Sequence, residues 1–505
     1  MRTKNTLKTF LYGVLLTSII AVLGLVKTKV LLQCLGQEYV GVYQLFYQLY
    51  TYLSLIDGGI GAGVVYHLYK PIYEKNTKQI NAIYSGAKYY FRVIGYIVIA
   101  LGILLSLGIM FLIKETTIEA WYIKVCFILF VISSATTYFT MAHSLIYESE
   151  QKLYKSSNLN HLLAIAESIV CITVALLGGK LLIILTIFLG LSVLKNVILV
   201  LISKKDHQYL HKTYEKDMSF KKETNNLIVS KINTLINDNI DVIILSKFIG
   251  LGMVFIYTAY NQIVNMIKLM VQRFNSALLP SVGNLLVVDK EKSKNTFVEL
   301  NAVLFFMGSV LFVPLYYMIS PFISLWYGKE YTVTSLVCML FVGILYINII
   351  KISLETFIKA AGEFKSVKNC AIYQSVVNLT LSLLLVQKFG IAGVLTATLF
   401  SFITGIFLYY PSIICRNIIY DKPINYYKKV FKYLIGLVLN LGICCYINSL
   451  LHNTNLLIWF VNGVLLFVIN FVLTYIYFKV TKEDIFMDRI KFMINKFLQR
   501  KKASN

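Results

Sequence analysis

Apolar residues run along almost the whole chain in unbroken blocks of about 20, the length of α-helix that crosses ~30 Å of hydrocarbon. Period-two alternation in segments of about ten residues, the mark of a membrane barrel, is absent. Fourteen spans are read, at roughly 10–32, 39–68, 84–113, 120–147, 158–177, 181–202, 225–248, 253–279, 296–320, 333–358, 366–387, 391–414, 431–450 and 456–478. Lipid offers the backbone no hydrogen bonds, so blocks of this kind predict an all-α polytopic membrane protein. The first block follows Arg2, Lys4 and Lys8 as a signal peptide would. It is too long, however, and ends at Lys27-Thr28-Lys29 without a small-residue cleavage pattern, so it is expected to be a retained helix.

The connections test this division. Alternate ones, starting with the N-terminus, hold 34 of the 48 lysines and arginines, whereas the opposite set holds six. Such a bias fixes orientation in a membrane, and it places both termini in the cytoplasm. The net charge of +24 then reflects positive-inside loops, and no nucleic-acid partner is expected. Eight cysteines show no CxxC or Cys/His spacing, so neither disulfides nor a metal site is expected. A phosphate-binding GxxxxGK[ST] loop is missing, which argues against ATP-driven transport by this chain. No catalytic constellation appears, and the external connections are too short for a sugar polymerase. An enzyme is not expected, nor is a cofactor.

An internal repeat is visible. Leu35–Leu49 and Ile249–Ile263 align at an offset of 214, matching Gly36 with Gly250, Val40 with Val254, Tyr43 with Tyr257 and Gln48 with Gln262. Tyr154-Lys155-Ser156 echoes Phe364-Lys365-Ser366, and Gly178-Gly179 echoes Phe389-Gly390. The unit is therefore six helices. An even number inserts both copies the same way up, giving parallel repeats with a cavity expected between them. The expected divisions are a lobe at 1–202, a polar cytoplasmic linker at 203–224, a second lobe at 225–414, two further helices at 415–480 and a tail at 481–505. The tail places Ile485, Phe486, Ile490, Met493, Ile494 and Phe497 on one side, as a helix lying on an anionic leaflet does.

These residues resemble a known family. Leu35-Gly36-x-x-x-x-Gly41, then Ser54-Leu-Ile-Asp57-Gly-Gly-Ile-Gly61, then the segment around Tyr69-Lys-Pro-Ile-Tyr-Glu74, and in the second half Asn239-Ile-Asp241 through Gly250, are similar to bacterial polysaccharide-transport flippases of O-antigen and capsule synthesis. More distantly, the chain resembles multidrug and toxic-compound extrusion transporters and the lipid II flippase. The resemblance implies two six-helix lobes that alternate between inward- and outward-facing states. It also implies a substrate of undecaprenyl-pyrophosphate bearing an oligosaccharide. Gly58-Gly59 departs from the family's usual larger residue before glycine, which loosens the helix locally.

A charge within a span costs at least ~2.5–3.5 kcal/mol, so each one calls for a reason. Eight cations lie in spans: Lys27, Lys29, Arg92, Lys195, Lys231, Lys268, Arg273 and Lys351. Five acids are counted against them: Asp57, Glu167, Asp238, Asp241 and Glu355. Surplus positive charge suits a pyrophosphate or acidic sugar, whereas a carrier of cationic drugs should show surplus acid. Lys231, Thr234, Asp238 and Asp241 form one helical stripe, and Asn261, Asn265, Lys268 and Gln272 form another. Each is read as lining a cavity or as a polar seam between helices. Lys27 and Lys29 lie two apart on different faces, so at least one snorkels to the headgroups. Lys351 and Glu355 stand four apart, which fits a self-neutralising pair as well as a ligand site. Glu167 and Lys195 read as a structural bridge. Asp57 sits among glycines, either as a protonatable hinge or as a bond partner for backbone amides at a bend. Tyr39, Tyr43, Tyr47 and Tyr50 read as a sugar-binding wall or as ordinary packing. His143 reads as a packed polar side chain.

The expected function is a flippase that carries a lipid-linked oligosaccharide from the inner to the outer leaflet of a bacterial cytoplasmic membrane by alternating access. Substrate contacts are expected from Lys231, Lys268, Lys351, Asn261, Asn265, Lys27, Tyr43 and Tyr47, with Asp57, Asp238 and Asp241 as coupling or hinge residues. Expected partners are the lipid-linked oligosaccharide, membrane lipids and other glycan-assembly proteins, with the chain itself a monomer. A cation-coupled multidrug exporter and a non-transporting scaffold of a glycan assembly complex are the alternatives.

Overall fold

The computed structural model describes residues 2–220, 240–288 and 290–484, without the side chains of some stretches such as 2–15 and 272–278. Lys231, Asp238 and the tail helix beyond 484 lie outside the described residues. Every regular element among the described residues is helical. The helices are α1 (Arg2–Leu35), α2 (Gln37–Leu53), α3 (Ile60–Tyr73), α4 (Thr77–Gly108), α5 (Ala120–Ala135), α6 (Met141–Ser149), α7 (Tyr154–Leu176) and α8 (Leu181–Asp206). After the helical residues 240–248 (α9) come α10 (Leu251–Val288), α11 (Lys290–Trp326), α12 (Ser335–Ala361), α13 (Phe364–Phe389), α14 (Ile391–Phe402), α15 (Leu408–Ile413), α16 (Pro423–Ser449) and α17 (Leu456–Val480).

Eleven helices among the described residues are long and apolar enough to cross a membrane, and they coincide with spans 1, 3–6 and 9–14. The chain is an all-α polytopic membrane protein. The other three spans differ for local reasons. The second is broken between α2 and α3, where a 3-10 turn at Ser54–Asp57 leads into Gly58 and Gly59, with φ of 58° and 75°. Two successive left-handed residues end a right-handed helix, and glycine adopts that conformation without a Cβ clash. The seventh lies largely outside the described residues. The eighth is the continuous α10, which is interrupted chemically rather than geometrically by Asn261, Gln262, Asn265 and Lys268.

The repeat has conformational counterparts. Gly36 precedes α2 with φ 92°, and Gly250 precedes α10 with φ 124°. Helix α7 begins at Tyr154 and α13 at Phe364, the matched positions of the second echo. Gly178 and Gly390 carry φ of 79° and 56° in the connections that follow those two helices.

The chain divides into two compact units, one reaching Phe255 and the other starting at Ile256. In the first, the described part of the expected linker is laced onto the helices. Asn81 Nδ2 donates to Tyr209 O (2.9 Å), His211 N to Asn81 Oδ1 (3.0 Å), Thr213 N to Ser85 Oγ (2.9 Å) and Asp217 N to Ala82 O (3.2 Å). The Phe220 side chain is fully buried. Outside the spans, burial pushes the Glu150 carboxyl up, but hydrogen bonds from His207 (3.1 Å) and Lys152 (2.9 Å) outweigh it and hold the group down at about 2.

The second unit is built around α11. Helices α16 and α17 are fastened to it by Asn470 Nδ2 on Ser309 O (2.9 Å), Trp459 Nε1 on Met318 O (2.9 Å) and Tyr317 OH on Leu441 O (2.8 Å). Amide donors on carbonyls suit a helix contact in lipid, where apolar packing brings little hydrophobic gain. Glu483 closes this end, accepting from Lys429 (2.9 Å), Lys432 (3.0 Å) and Tyr433 (2.9 Å).

Candidate functional site

Each unit holds its own cluster of charge at membrane depth. In the first, α1 presents Lys27, whose Nζ stands 5.0 Å from the centre of the Tyr43 ring on α2. An ammonium over a tyrosine face is held by the ring quadrupole while keeping its charge. Helix α7, packed along α1, brings Glu167 and Cys171 into the field of Lys27. Lys195 of α8 also acts on Glu167, yet it is buried and donates to Asn160 Oδ1 at 3.3 Å. The bridge expected between Glu167 and Lys195 is not formed as an ion pair: Lys195 bonds Asn160 instead, and Glu167 lies within the electrostatic reach of both Lys195 and Lys27.

The tyrosine row of α2 divides. Tyr39, Tyr43 and Tyr50 meet Tyr122 (6.1 Å), Phe130 (5.7 Å) and Phe130 (6.3 Å) of α5 by their edges. Tyr47 points elsewhere and is 58% exposed. Only Tyr43 combines the aromatic contact with a cation. Asp57 accepts a hydrogen bond from Gly59 N at 2.9 Å, so its carboxylate caps the break between α2 and α3. His143 is buried and bonded at both ring nitrogens, to Tyr84 OH (3.0 Å) and Ser203 Oγ (2.8 Å).

In the second unit, Lys351 lies 3.4 Å from Glu355, which also takes Lys359 at 3.1 Å. The Lys351 ammonium additionally stands 4.6 Å from the Phe402 ring centre. Phe402 ends α14 and leads into a π-helical turn at Ile403–Phe407, a wide turn that often accompanies function. Asn348 spends its Nδ2 on Ile344 O (2.9 Å), while its Oδ1 is buried without a partner. On α10, Asn261 and Lys268 are half-buried and Asn265 is exposed. Asp241 on α9 is buried. Thus Lys27 and Tyr43 are brought together, and Lys351 is joined to Glu355. Glu299, near the start of α11 and half-buried, is a sixth acid within the spans. It falls inside the ninth span as read at 296–320, so the sequence already held the signal. It lowers the surplus of cations from three to two.

Comparison with solved structures follows this geometry. The fold matches the lipid II flippase MurJ in an inward-closed conformation with TM-score 0.69 at 17% identity, covering 93% of this chain and 99% of that one. It also matches a multidrug resistance MATE family transporter of the MOP superfamily in an inward-facing conformation, with TM-score 0.63, 12% identity, and coverage of 79% and 94%. An outward-facing MATE structure aligns at TM-score 0.55, with 13% identity and coverage of 79% and 92%. No protein-family model and no curated sequence matches the chain. At these identities the likeness establishes the fold alone.

Proposed function

We propose that this protein is a flippase for a lipid-linked oligosaccharide, with undecaprenyl-pyrophosphate as the carrier and surface polysaccharide as the product of the pathway. The observation that carries this reading is a lysine held at membrane depth in each unit, Lys27 over the Tyr43 ring and Lys351 against Glu355 and the Phe402 ring. In the first unit Lys195 adds a second cation near the single Glu167, which leaves one positive charge in excess. Isolated excess charge at membrane depth costs ~2.5–3.5 kcal/mol or more. A passing pyrophosphate or acidic sugar offsets that cost, which gives the substrate a reason to enter and the protein a reason to keep the lysines. The fold it shares with a lipid II flippase over nearly its whole length supports the same reading. Lys268, Asn261 and Asn265 on α10 contribute donors for phosphate and hydroxyls. The headgroup crosses by alternating access, and the lipid tail stays in the bilayer. The lobes are the sequence repeats at 1–202 and 225–414, in a bacterial inner membrane with both termini cytoplasmic.

The test removes the gene from its host, extracts lipid-linked sugars and determines their leaflet. Complete repeat units held on the cytoplasmic leaflet, with loss of surface polymer, are expected. Wild-type protein should restore export, and a K27Q/K351Q double variant present at equal amount should not. Normal export with altered drug tolerance would overturn the reading in favour of the extrusion transporters of the same fold.

A further inference from the structure

The first unit contains a basin that the flippase reading does not use. It lies between the first turns of α4 and α6 and the last turn of α8, where the laced segment 207–220 begins, at the cation-rich end of the unit. Its floor is a closed relay. Lys88 Nζ donates to Tyr84 OH (3.4 Å), Tyr84 OH meets His143 Nε2 (3.0 Å), and His143 Nδ1 meets Ser203 Oγ (2.8 Å). Lys204, His211 and Lys212 complete the rim around a cavity of about 180 Å³. That is well above the ~10–15 Å³ that a single water needs in the same measure, and gives room for a phosphate group.

The charge of this basin is one-sided. The fields of Arg92, Lys204 and Lys212 all bear on Lys88, and no carboxylate is among the described lining residues. The described acids nearest in sequence are engaged elsewhere. Asp206 takes Lys155 at 2.6 Å and Tyr147, Glu150 takes His207, Lys152 and Tyr209, and Glu215 faces Lys78 at 3.9 Å. Like charges gathered without a counter-ion repel one another, and a bound anion relieves the repulsion. Helix α8 also shows exposed apolar residues immediately before the rim, with Leu194, Val197 and Leu201 each at least half exposed. An apolar face that ends at Lys204 and Lys205 puts the basin at the height of lipid headgroups.

We propose that this basin is a binding site for a phosphate group, held by Lys88, Lys204 and Lys212 over the Tyr84–His143–Ser203 floor. The phosphate belongs to an anionic lipid headgroup or to a soluble phosphate ester. The floor is rigid because each of its polar atoms is already bonded, so the rim lysines meet the ligand at small ordering cost. Lys204 and Lys212 are exposed and make no hydrogen bond or ion pair among the described residues, so replacing them leaves the packing intact.

The experiment uses the full chain and measures binding alone, so it stands or falls separately from transport. Radiolabelled orthophosphate is titrated onto protein in lipid-free detergent. In a second arm, phosphatidylglycerol is titrated onto delipidated protein, with phosphatidylcholine as control, and bound lipid is counted by native mass spectrometry. Saturable binding in at least one arm is expected, with affinity reduced about tenfold or more in K204Q/K212Q and unchanged in K114Q/K124Q, which removes equal charge at the other end of the helices. Orthophosphate binding identifies a soluble phosphate, and binding of phosphatidylglycerol alone identifies a headgroup. No saturable binding in either arm, or K204Q/K212Q binding as tightly as wild type, overturns the proposal.

Discussion

Glycine at position 86 is the point where the laced segment comes closest to the helices. A Cβ there would lie 2.2 Å from the carbonyl oxygen of Asp217 and 3.0 Å from its carbonyl carbon. Carbon and oxygen ordinarily approach to ~3.3 Å at the closest, so Gly86→Ala forces a displacement of about 1 Å. The obstacle is backbone, which has no rotamer to escape into. Releasing the segment altogether would forfeit the four hydrogen bonds to Asn81, Ala82 and Ser85, worth about 4 kcal/mol at ~1 kcal/mol each. Tolerating the strain costs about 1–3 kcal/mol. The segment therefore stays docked but opens more readily, by the strain it sheds on opening. Limited proteolysis by trypsin at Lys212 and Lys216 reads that opening, because cleavage follows the open population when opening is fast. Cleavage should accelerate about 5- to 150-fold. Gly190→Ala serves as the control, since its added Cβ meets nothing within 4 Å. A cleavage rate in Gly86→Ala within about twofold of the control would refute the docked segment.

Three further substitutions test other parts of the structure. In Gly41→Ala the Cβ would stand 2.2 Å from the Leu251 carbonyl oxygen, so thermal stability should fall by about 1–3 kcal/mol relative to Gly190→Ala, measured by thermal unfolding in detergent. Asp57→Asn keeps an oxygen for the Gly59 amide bond, so transport should survive it and fail in Asp57→Val; loss of transport in Asp57→Asn with the protein intact would instead make proton exchange at Asp57 essential. The Glu150 carboxyl, held down at about 2 by His207 and Lys152, contributes stability that is complete above the usual carboxylate pKa of ~4.3 and is lost as pH falls through the folded value. Glu150→Gln should therefore unfold at a lower temperature than wild type at neutral pH, and the gap should close as pH falls from about 4.5 to 2; a gap independent of pH would contradict the pairing.

Eleven of the fourteen spans were legible because lipid makes a single strong demand, and among the described residues the helices that satisfy it stand where they were read. Hydropathy is blind to how polar residues pair. Lys351 with Glu355 followed from their spacing of four; Lys359 stands at the same spacing beyond Glu355, but outside the span as read. Lys27 meeting Tyr43 joins α1 to α2, and Glu167 reaches both through α7, so no periodicity within one helix reports it. The segment 203–224 reads as a linker because it is polar. Its described part is docked because its backbone finds partners on α4, chiefly the Asn81 and Ser85 side chains, and a sequence sign of that docking is the glycine at 86.

The two described spans that depart from an unbroken apolar helix are informative together. A helix surrounded by lipid must be apolar on most of its circumference, whereas one that borders water or a polar cargo is released from that demand. The second span is broken at Gly58-Gly59 and carries Asp57, and the eighth, α10, carries Asn261, Asn265 and Lys268. These two are not arbitrary members of the set. The offset of 214 that joins Gly36 to Gly250 makes them the same element of the two repeats, and both begin on a glycine with positive φ. If polarity in the spans were only a collection of local seams, there would be no reason for it to recur at one position of the repeat. Its recurrence argues that one face of each half serves a common task. Under the proposed function that task is to carry a charged headgroup past hydrocarbon, with Lys27 and Tyr43 beside the second span in one half and Lys268 on its counterpart in the other.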